Sequence, residues 1–424
     1  MSDLFDPPGA EPKASAERAD PFAGPPPIPP EKAPRTAAER LAWLRLARTP
    51  GVGPATFVRL LRRYPSAAAA LEAVPDLSAR GGGPRAPAPV ERIEAEIAAG
   101  ERAHARLLCL GAPDYPALLA QADGAPPILW ALGDPSRLRA PAVALVGARN
   151  ASAVGRRWAE ATAAALAERG ALIVSGLARG IDAAAHRGAL RAAAEAAAEA
   201  SEGRAGGPGT TVAAVAGGVD HVYPPEHAAL HAEMVERGAV ISEMPMGFQP
   251  AAQHFPRRNR LISGLSQVVV VVEAAERSGA MITARYAAEQ NREAAAVPGH
   301  PLDPRYGGCN ALLRQGATLV RDADDVWEAL DQSRPRRLLE PGAFYDPALQ
   351  LDAEEPANAE AEPPADLADR ALAMLSTAPI EIDALVRALD VAPAALAAAL
   401  LELELAGRIE RRPGGLLARS PDGI

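Results

Sequence analysis

The chain has few cysteines and few aromatic residues for its length. Its 424 residues include 2 cysteines, Cys109 and Cys309, and aromatic side chains make up 4% of the sequence. The two cysteines are far apart and neither belongs to a CxxC pair, which excludes a disulfide framework and a thiolate metal site. This cysteine usage is typical of a reducing compartment, so we expect a cytoplasmic protein.

Long apolar runs are also missing. No stretch of about eighteen apolar residues occurs, and the N-terminus MSDLFDPPGAEPK lacks the basic and apolar regions of a signal peptide. We therefore expect no membrane partner. The formal net charge of −9 excludes a protein that coats nucleic acid indiscriminately. It remains compatible with one basic groove, because steering depends on the local field.

The length predicts two or three domains. Composition divides the chain into a disordered tail over 1–37, a small helical domain over 38–100, a Rossmann-like domain over 105–335, an acidic Pro/Ala-rich linker over 340–364 and a winged-helix domain over 365–424. The tail and the linker are predicted to stay disordered, because they cannot bury enough apolar surface to offset the entropy of ordering the chain.

Residues 141–186 are the segment around which the larger domain is organised. They predict a strand over 142–146, a glycine loop from Gly147, a helix, a second strand and another glycine loop that opens a helix. Both junctions present backbone N–H groups at one edge of a parallel sheet, where helix N-termini favour anions. Arg149 and Arg179 lie in these junctions. The alternative is that both arginines are simply solvated.

The densest positive cluster is HFPRRNR at 254–260, which we expect as a loop just before a helix and the buried strand 267–274. Arginine forks grip phosphate in a bidentate manner, and a phenylalanine offers a stacking face to an unpaired base. The alternative is that Phe255 belongs to the core and that the arginines pair with Glu243 or Glu273.

Three further features of the larger domain lead to weaker predictions. Residues 278–284 open another helix with hydroxyls and a glycine, a third junction that favours anions. His227 and His231 are four apart on a predicted helix. No carboxylate or cysteine stands near them at a ligand-like spacing, so we interpret them as helix-surface histidines and expect no metal. The Ala/Glu-rich and glycine-rich stretch 191–209 is predicted to be a surface insertion.

The small helical domain contains a break, Gly51-Val52-Gly53, that resembles a helix-hairpin-helix. Glycines in such a turn let backbone N–H groups approach a nucleic-acid phosphate. The residues Arg59, Arg62 and Arg63 follow on the second helix. A glycine turn between packed helices also makes purely structural sense, so both interpretations stay open.

Six segments of the larger domain resemble the DprA (Smf) family of DNA-processing proteins. They are GARNASAVG, SGLARGIDAAAH, GGVDHVYPPEH, HFPRRNRLISGLS, EAAERSGAMITARYAAEQNREAAAVPG and GGCNALLRQGA, within roughly residues 105–330. The resemblance implies an α/β fold with an extended Rossmann-like sheet that binds single-stranded DNA, forms a dimer and loads the RecA recombinase during natural transformation. It also implies no catalytic residue and no cofactor. Single-strand binding protein is a further candidate partner.

Carried over position by position, the resemblance implies a set of phosphate-facing residues. They are Gly147, Arg149, Ser175, Gly176, Arg179, Gly180, Asp182, Phe255, Arg257, Arg258, Asn259, Arg260, Ser278, Gly279 and Thr283. The chain departs from the family pattern in the insertion 191–209, in Cys309 where a threonine is usual and in Ala280 where a serine is usual. The last two departures remove hydroxyl donors.

The C-terminal segment has a winged-helix outline, as in some relatives of that family. Its reading helix would be APAALAAALLELELAG, which contains no cation and carries Glu402 and Glu404. Such a helix is poorly suited to a DNA groove, because affinity for DNA comes largely from neutralised phosphates. It is better suited to pack against its own domain or a partner protein.

Two enzyme classes on similar scaffolds are alternatives. Nucleotide phosphoribohydrolases carry a PGGxGTxxE signature, and SGAMITARYAAE lacks the paired glycines. In a dehydrogenase we would expect GxGxxG followed after about twenty residues by an acidic residue. GARNASAVG does not fit, and Glu168 meets the acidic requirement only weakly. We therefore predict a non-enzymatic single-strand DNA binder, with the phosphoribohydrolase as the alternative.

Overall fold

The computed structural model describes residues 28–201, 210–333, 366–412 and 416–420. The predicted linker 340–364, most of the predicted disordered tail and the glycine-rich end of the insertion 191–209 lie outside these residues. Within them, a nine-stranded sheet is preceded by four helices and followed by a small three-stranded domain.

The sheet is mixed and largely parallel. Its strands are β1 Arg106–Cys109, β2 Ile128–Gly133, β3 Ala142–Val146, β4 Leu172–Ser175, β5 Thr210–Ala214, β6 Ala239–Ser242, β7 Val268–Val271, β8 Glu293–Ala296 and β9 Thr318–Leu319. Their order is β1-β2-β6-β5-β4-β3-β7-β8-β9. β1 and β2 pair antiparallel, as do β2 and β6, and the other pairs are parallel. Every residue of β3, β4 and β7 is buried, as expected for strands covered on both faces.

The topology places a crevice next to β3. The chain runs outward from β3 through β4, β5 and β6 and then returns to β7 on the other side of β3. Ligands of such sheets bind at the carboxyl ends of the strands where this reversal occurs. The connecting helices are α5 Ala117–Ala120, α6 Ala153–Glu168, α7 Ile181–Ser201, α8 Ala228–Arg237, α9 His254–Gly264, α10 Gly279–Glu289, α11 Gly307–Arg314 and α12 Ala323–Ser333. The predicted Rossmann-like α/β fold is confirmed.

The N-terminal helical domain shares a core with the sheet. Its helices are α1 Ala37–Arg48, α2 Pro54–Arg63, α3 Ala67–Arg80 and α4 Val90–Arg102. Trp43 is buried and its indole N–H donates to the carbonyl of Pro127 at 2.9 Å. Glu96 accepts from the indole of Trp130 at 2.8 Å and pairs with Arg48. The buried carboxylate is therefore hydrogen-bonded and paired, as burial of a charge requires.

The start of the described chain corrects one expectation. Ile28 is fully buried, and the ammonium group of Lys32 donates to the carbonyl of Leu61 at 2.5 Å. The predicted disorder of 1–37 is therefore wrong for residues 28–36, which pack against the helical domain. The overall composition of the tail predicts disorder. It does not reveal that a single isoleucine, Ile28, is buried and anchors this segment.

The C-terminal domain is a winged helix, as predicted. It contains α13 Leu367–Met374, β10 Ile380–Glu381, α14 Ile382–Leu389, α15 Pro393–Leu405, β11 Ile409–Arg412 and β12 Leu416–Arg419, with antiparallel strands in the order β10-β12-β11. Across the described residues no single helix is long and apolar enough to span a membrane. The consecutive helices α14 and α15, bent by 115°, reach that length and composition only as a pair.

The buried segment before α1 predicts a stability effect. Ile28→Ala should lower the free energy of unfolding by about 2–5 kcal/mol, the usual loss for truncating a buried isoleucine. Urea unfolding followed by circular dichroism measures it. The matched control is Val154→Ala, because Val154 is 62% exposed and its truncation should change the free energy by less than about 0.5 kcal/mol. Equal, small effects of both variants would contradict the packing of Ile28.

Candidate functional site

Two glycine loops meet at the carboxyl edge of the sheet. The loop after β3 and the loop after β4 are joined by a hydrogen bond from the N–H of Ile181 to the carbonyl of Ala148, at 3.3 Å. Gly180 has φ +76, and a Cβ there would lie 2.1 Å from the same carbonyl. Only glycine tolerates both the positive φ and the close carbonyl at this position. The close approach and the hydrogen bond bring the two loops together at one edge of the sheet, as the sequence predicted.

The arginine cluster differs from its predicted conformation. Residues 254–260 are not a loop before a helix but the first turns of α9 itself. Pro256 is compatible with this position, because the first turn of a helix needs no N–H from its residues. Because consecutive residues of a helix point in different directions, the side chains of this cluster do not share one face. Arg258 and Asn259 point inward and are buried, whereas Arg257 is exposed.

Arg258 ties α9 to the ends of two strands. Its Nη1 donates to the carbonyls of Gly176 and Ala214, both at 2.5 Å. A Cβ at Gly176 would lie 1.9 Å from that nitrogen, so this glycine makes room for the guanidinium. Burial lowers the pKa of Arg258 to about 10, and the nearby charge of Asp182 opposes that decrease. The side chain is thus a buried cation at neutral pH.

Two buried side chains, Asp182 and His186, hydrogen-bond to the loop after β4. Asp182 accepts from the N–H groups of Gly176 and Ala178 at 3.1 and 3.3 Å, and burial raises the pKa of its carboxyl. His186 accepts through Nε2 from the N–H of Leu177 at 3.3 Å. Leu177 has φ +57, a conformation that is strained for a side chain of this kind. These contacts hold the loop in a shape that its own residues disfavour.

Several residues expected to face phosphate are buried. Ser175 donates to the carbonyl of Leu145 at 2.7 Å, and Asn259 donates to the carbonyl of Gly279 at 3.1 Å. Thr283 is buried one turn into α10. We therefore assign Ser175, Asp182, Arg258, Asn259 and Thr283 to supporting the loops, in place of the direct phosphate contacts that the resemblance implies.

The exposed part of the edge combines cations with aromatic rings. The guanidinium carbon of Arg149 lies 5.1 Å from the ring centroid of Phe255, which is half-buried. Tyr223, 46% exposed, lies beside the same ring with centroids 5.5 Å apart. Sequence reasoning did not select Tyr223, although its position shortly after the glycines that follow β5 was a signal. Arg257 is 56% exposed at the side chain and completes this surface.

Two carboxylates partly neutralise the arginines of this edge. Glu243 is buried and pairs with Arg257, whose Nε lies 3.0 Å away, and with Arg260. Arg260 is only 13% exposed at the side chain and also donates to the carbonyl of Gly124. The alternative of pairing with Glu243 is thus confirmed for these two arginines. Arg179 pairs with Glu226 at the surface, where such a pair contributes little.

Glu273 lies at the N-terminus of α6, next to the crevice. Its carboxylate accepts from the backbone N–H of Ser152 at 2.9 Å and from the hydroxyl of Tyr306 at 3.1 Å. A Cβ at Gly155 would lie 2.5 Å from its Oε1. On the opposite side of the crevice, Ser278 precedes α10 and Gly279 is exposed at its first position. Across the described residues the Oγ of Ser278 is a shielded atom without a hydrogen-bond partner.

The histidines were interpreted incorrectly. His227 and His231 are buried rather than on the helix surface, because the start of α8 packs under the loops. His227 contacts the carbonyl of Leu177 at 3.0 Å through Nδ1, and His231 contacts the carbonyl of Val219 at 2.9 Å. Within the described ranges no three His, Cys, Asp or Glu side chains form a group that could hold a metal. Cys309 and Ala280 are also buried, so the two departures from the family pattern fall beneath the surface.

The fold and this edge define a doubly wound α/β protein with cationic and aromatic side chains at the carboxyl ends of its strands, preceded by a helical domain and followed by a winged helix. The chain belongs to the family of DNA recombination-mediator protein A, whose profile matches residues 106–331. Profiles of the DprA-like N-terminal HHH domain and of the DprA winged helix domain match residues 37–99 and 355–415. The resemblance found in the sequence is confirmed.

Individual relatives extend this match over most of the chain. Protein Smf of Synechocystis sp. is 32% identical over 411 residues, covering 89% of this chain and 98% of the relative. Protein Smf of Escherichia coli is 36% identical over 329 residues, covering 77% and 81%. The X-ray structure of DNA processing protein A (DprA) from Streptococcus pneumoniae superposes with a TM-score of 0.55 at 28% identity, covering 70% of this chain and 98% of that one.

The buried imidazole predicts a pH dependence of stability. Burial lowers the pKa of His186 to about 3, with the charges of Arg258 and His227 acting in the same direction. As pH falls below about 6.5, His186 binds a proton in the unfolded chain but stays neutral in the folded chain. Its contribution to the free energy of unfolding is therefore complete above about pH 6.5. Below that pH the contribution declines by up to about 1.4 kcal/mol per pH unit. His186→Gln should remove this slope between about pH 6.5 and pH 4.5 in urea unfolding.

His300→Gln, which removes an exposed imidazole of the same domain, is the matched control. A slope in His186→Gln equal to that of the unmodified chain would contradict the burial of a neutral His186.

Proposed function

We propose that the chain binds single-stranded DNA at the carboxyl edge of its sheet. The observation that carries the proposal is the contact of Arg149 with Phe255 beside Tyr223, next to two glycine loops. Guanidinium groups and loop N–H groups take the phosphates, while the half-exposed rings stack on bases. Stacking requires unpaired bases, which favours a single strand over a duplex. Ser278, Gly279, Gly147 and Gly180 extend the phosphate-facing backbone.

The enzyme alternatives are less well supported by the geometry. In a dinucleotide-binding site the pyrophosphate rests at the N-terminus of the first helix after the central strand. Here that position is filled by the carboxylate of Glu273, held by Ser152 and Tyr306. Because a side-chain carboxylate already fills that position, we propose a binding protein without catalysis rather than a dehydrogenase. The segment SGAMITARYAAE lacks the paired glycines of a phosphoribohydrolase.

Membership of the family supports a proposal for the cellular role. We propose that the protein acts in the cytoplasm, protects incoming single strands during natural transformation, and loads RecA onto them, with single-strand binding protein as a further partner. A homodimer would place two such edges on one strand, which raises the effective concentration of the second contact. The two free, buried cysteines fit a reducing compartment.

Charge at the edge predicts the salt dependence of binding. Arg149→Ala and Arg257→Ala should each weaken binding of a fluorescent oligothymidine and lower the slope of log affinity against log salt by about 0.7, because each removes one phosphate contact. Fluorescence anisotropy at several salt concentrations measures both effects. Arg260 is left intact, since its bonds to Glu243 and Gly124 give it a structural role.

Arg237→Ala is the control for this pair. Arg237 lies at the end of α8, directly before β6, and thus at the opposite edge of the sheet. The proposed site is wrong if Arg149→Ala and Arg257→Ala bind as Arg237→Ala does while all three remain folded.

The aromatic rings predict a different signature. Phe255→Ala should weaken binding by about 1–3 kcal/mol, the value of one stacked base, and leave the salt slope unchanged because no phosphate contact is lost. Phe255→Tyr keeps a stacking face and should bind nearly as the unmodified protein does. Equal affinities for Phe255→Ala and Phe255→Tyr would show that no base stacks there.

RecA loading has its own readout. The protein should accelerate DNA-dependent ATP hydrolysis by RecA on oligothymidine already covered with single-strand binding protein. The variant carrying both Arg149→Ala and Arg257→Ala should lose this acceleration, since it cannot reach the strand. No acceleration by an unmodified protein that binds the strand would leave DNA binding intact and reject the mediator role.

A further inference from the structure

The C-terminal half of the helix that would read a DNA groove, residues 399–405, is buried. Two hydrophobic cores share α15, because Leu396, Leu400 and Leu403 belong to the core of the winged helix, whereas Leu401 and Leu405 join the core of the N-terminal helices and the sheet. The glutamates of this helix, Glu402 and Glu404, are also buried. A helical segment that is apolar and buried all round is an interior element, so the C-terminal half of α15 joins the two domains.

The C-terminal end of α15 lies on the glycines of the N-terminal domain. A Cβ at Gly51 would be 2.8 Å from the carbonyl oxygen of Leu405, and a Cβ at Gly81 would be 2.1 Å from that of Glu402. Gly51 also has φ +84. The winged helix therefore approaches the hairpin between α1 and α2 closely at Gly51, while Gly51 and Gly53 themselves stay exposed.

Glu404 occupies a cluster of donors at this contact. Its carboxylate accepts from the hydroxyl of Thr56 at 2.9 Å, from the guanidinium of Arg59, and from Nε of Arg411 at 3.0 Å. Thr56 and Arg59 belong to α2, and Arg411 belongs to the wing. The Glu404 side chain is only 6% exposed. Loss of this carboxylate would leave a partly buried Arg59 without its counter-ion.

The two donors contributed by α2, a hydroxyl and a guanidinium, are of the chemical kinds that commonly bind phosphate. Thr56 lies in the first turn of the helix, where the helix dipole favours an anion, and Arg59 supplies a charge-assisted donor one turn later. The exposed Arg63 continues along the same helix. The position now held by the Glu404 carboxylate therefore suits a phosphate oxygen equally well.

We propose that Thr56 and Arg59 form a DNA phosphate site on the N-terminal domain and that Glu404 of the winged helix occupies it in this structure. The proposal rests on the proposed function, because a DNA strand on the sheet edge is the source of the phosphate. Carboxylate and phosphate exclude each other from the site. The winged helix thus masks Thr56 and most of Arg59, and displacement of Glu404 gives the strand a second contact.

The test compares two neighbouring glutamates in the full-length chain. Glu404→Gln keeps the shape of the side chain but removes its charge, and it should raise the affinity for fluorescent oligothymidine by about tenfold, the value of one charge-assisted contact. The salt slope should steepen by about 0.7 as one phosphate contact is added. Glu402→Gln, the matched control, removes the same charge two residues away on the helix. It should leave both quantities unchanged, since Glu402 lies 3.9 Å from the exposed Arg80, whereas Thr56 and Arg59 contact Glu404.

Arg59→Ala identifies the site. In the unmodified chain it should have little effect on DNA affinity, because Glu404 already neutralises Arg59. In combination with Glu404→Gln it should abolish the gain. A gain that persists without Arg59, or a folded Glu404→Gln that binds as the unmodified chain does, overturns the proposal.

A milder variant serves if Glu404→Gln does not fold. Glu404→Asp retains the charge but withdraws it from Thr56 and Arg59, so it should give a smaller gain that Arg59→Ala again abolishes. Failure of the proposed function is distinguishable: an unmodified chain that does not bind oligothymidine rejects the sheet-edge site, whereas a chain that binds but does not respond to either Glu404 variant rejects only the masked site.

Discussion

The buried guanidinium of Arg258 is the interaction on which the candidate site depends. A cation inside a protein is tolerated only when it is hydrogen-bonded and near a counter-charge, and Arg258 meets both conditions through two strand-end carbonyls and the charge of Asp182. Its bonds fix the start of α9 over the ends of β4 and β5. Phe255, three residues earlier on α9, is thereby placed against Arg149, and the exposed surface follows from the buried bond.

The sequence predicted the sheet and the glycine loops well because both have local signals. Apolar strands bounded by glycine mark β3 and β4, and the parallel order then brings their loops to one edge. The directions of the side chains in 254–260 could not be predicted, since a run of arginines has no apolar pattern that distinguishes inward from outward positions. The same holds for His227 and His231, whose partners are backbone carbonyls distant in sequence.

Electrostatics explains how an acidic chain can present a basic edge. The net charge is −9, yet Arg149 lies over an aromatic ring rather than beside a carboxylate. Glu243 and Glu226 hold Arg257 and Arg179 in place through ion pairs that exposed water and salt weaken. A phosphate that approaches Arg257 competes with Glu243 for one guanidinium. In the proposed site, these pairs would therefore orient the cations before binding and lower the affinity of each contact.

Buried or partly buried carboxylates that satisfy internal donors recur in the described part of the molecule. Glu273 fills the helix N-terminus beside the crevice, Glu243 pairs with the arginines of α9, and Glu404 lies at the start of α2. Each carboxylate satisfies donors that would otherwise be buried without partners, which is a requirement of stability. The three differ in what surrounds them. Glu273 is fully buried and belongs to the same domain as its donors, whereas Glu404 is carried by a different domain from two of its donors. In the proposed masked site, displacement of Glu404 by an external anion therefore means separating two packed surfaces, whereas displacement of Glu273 would disrupt a single one.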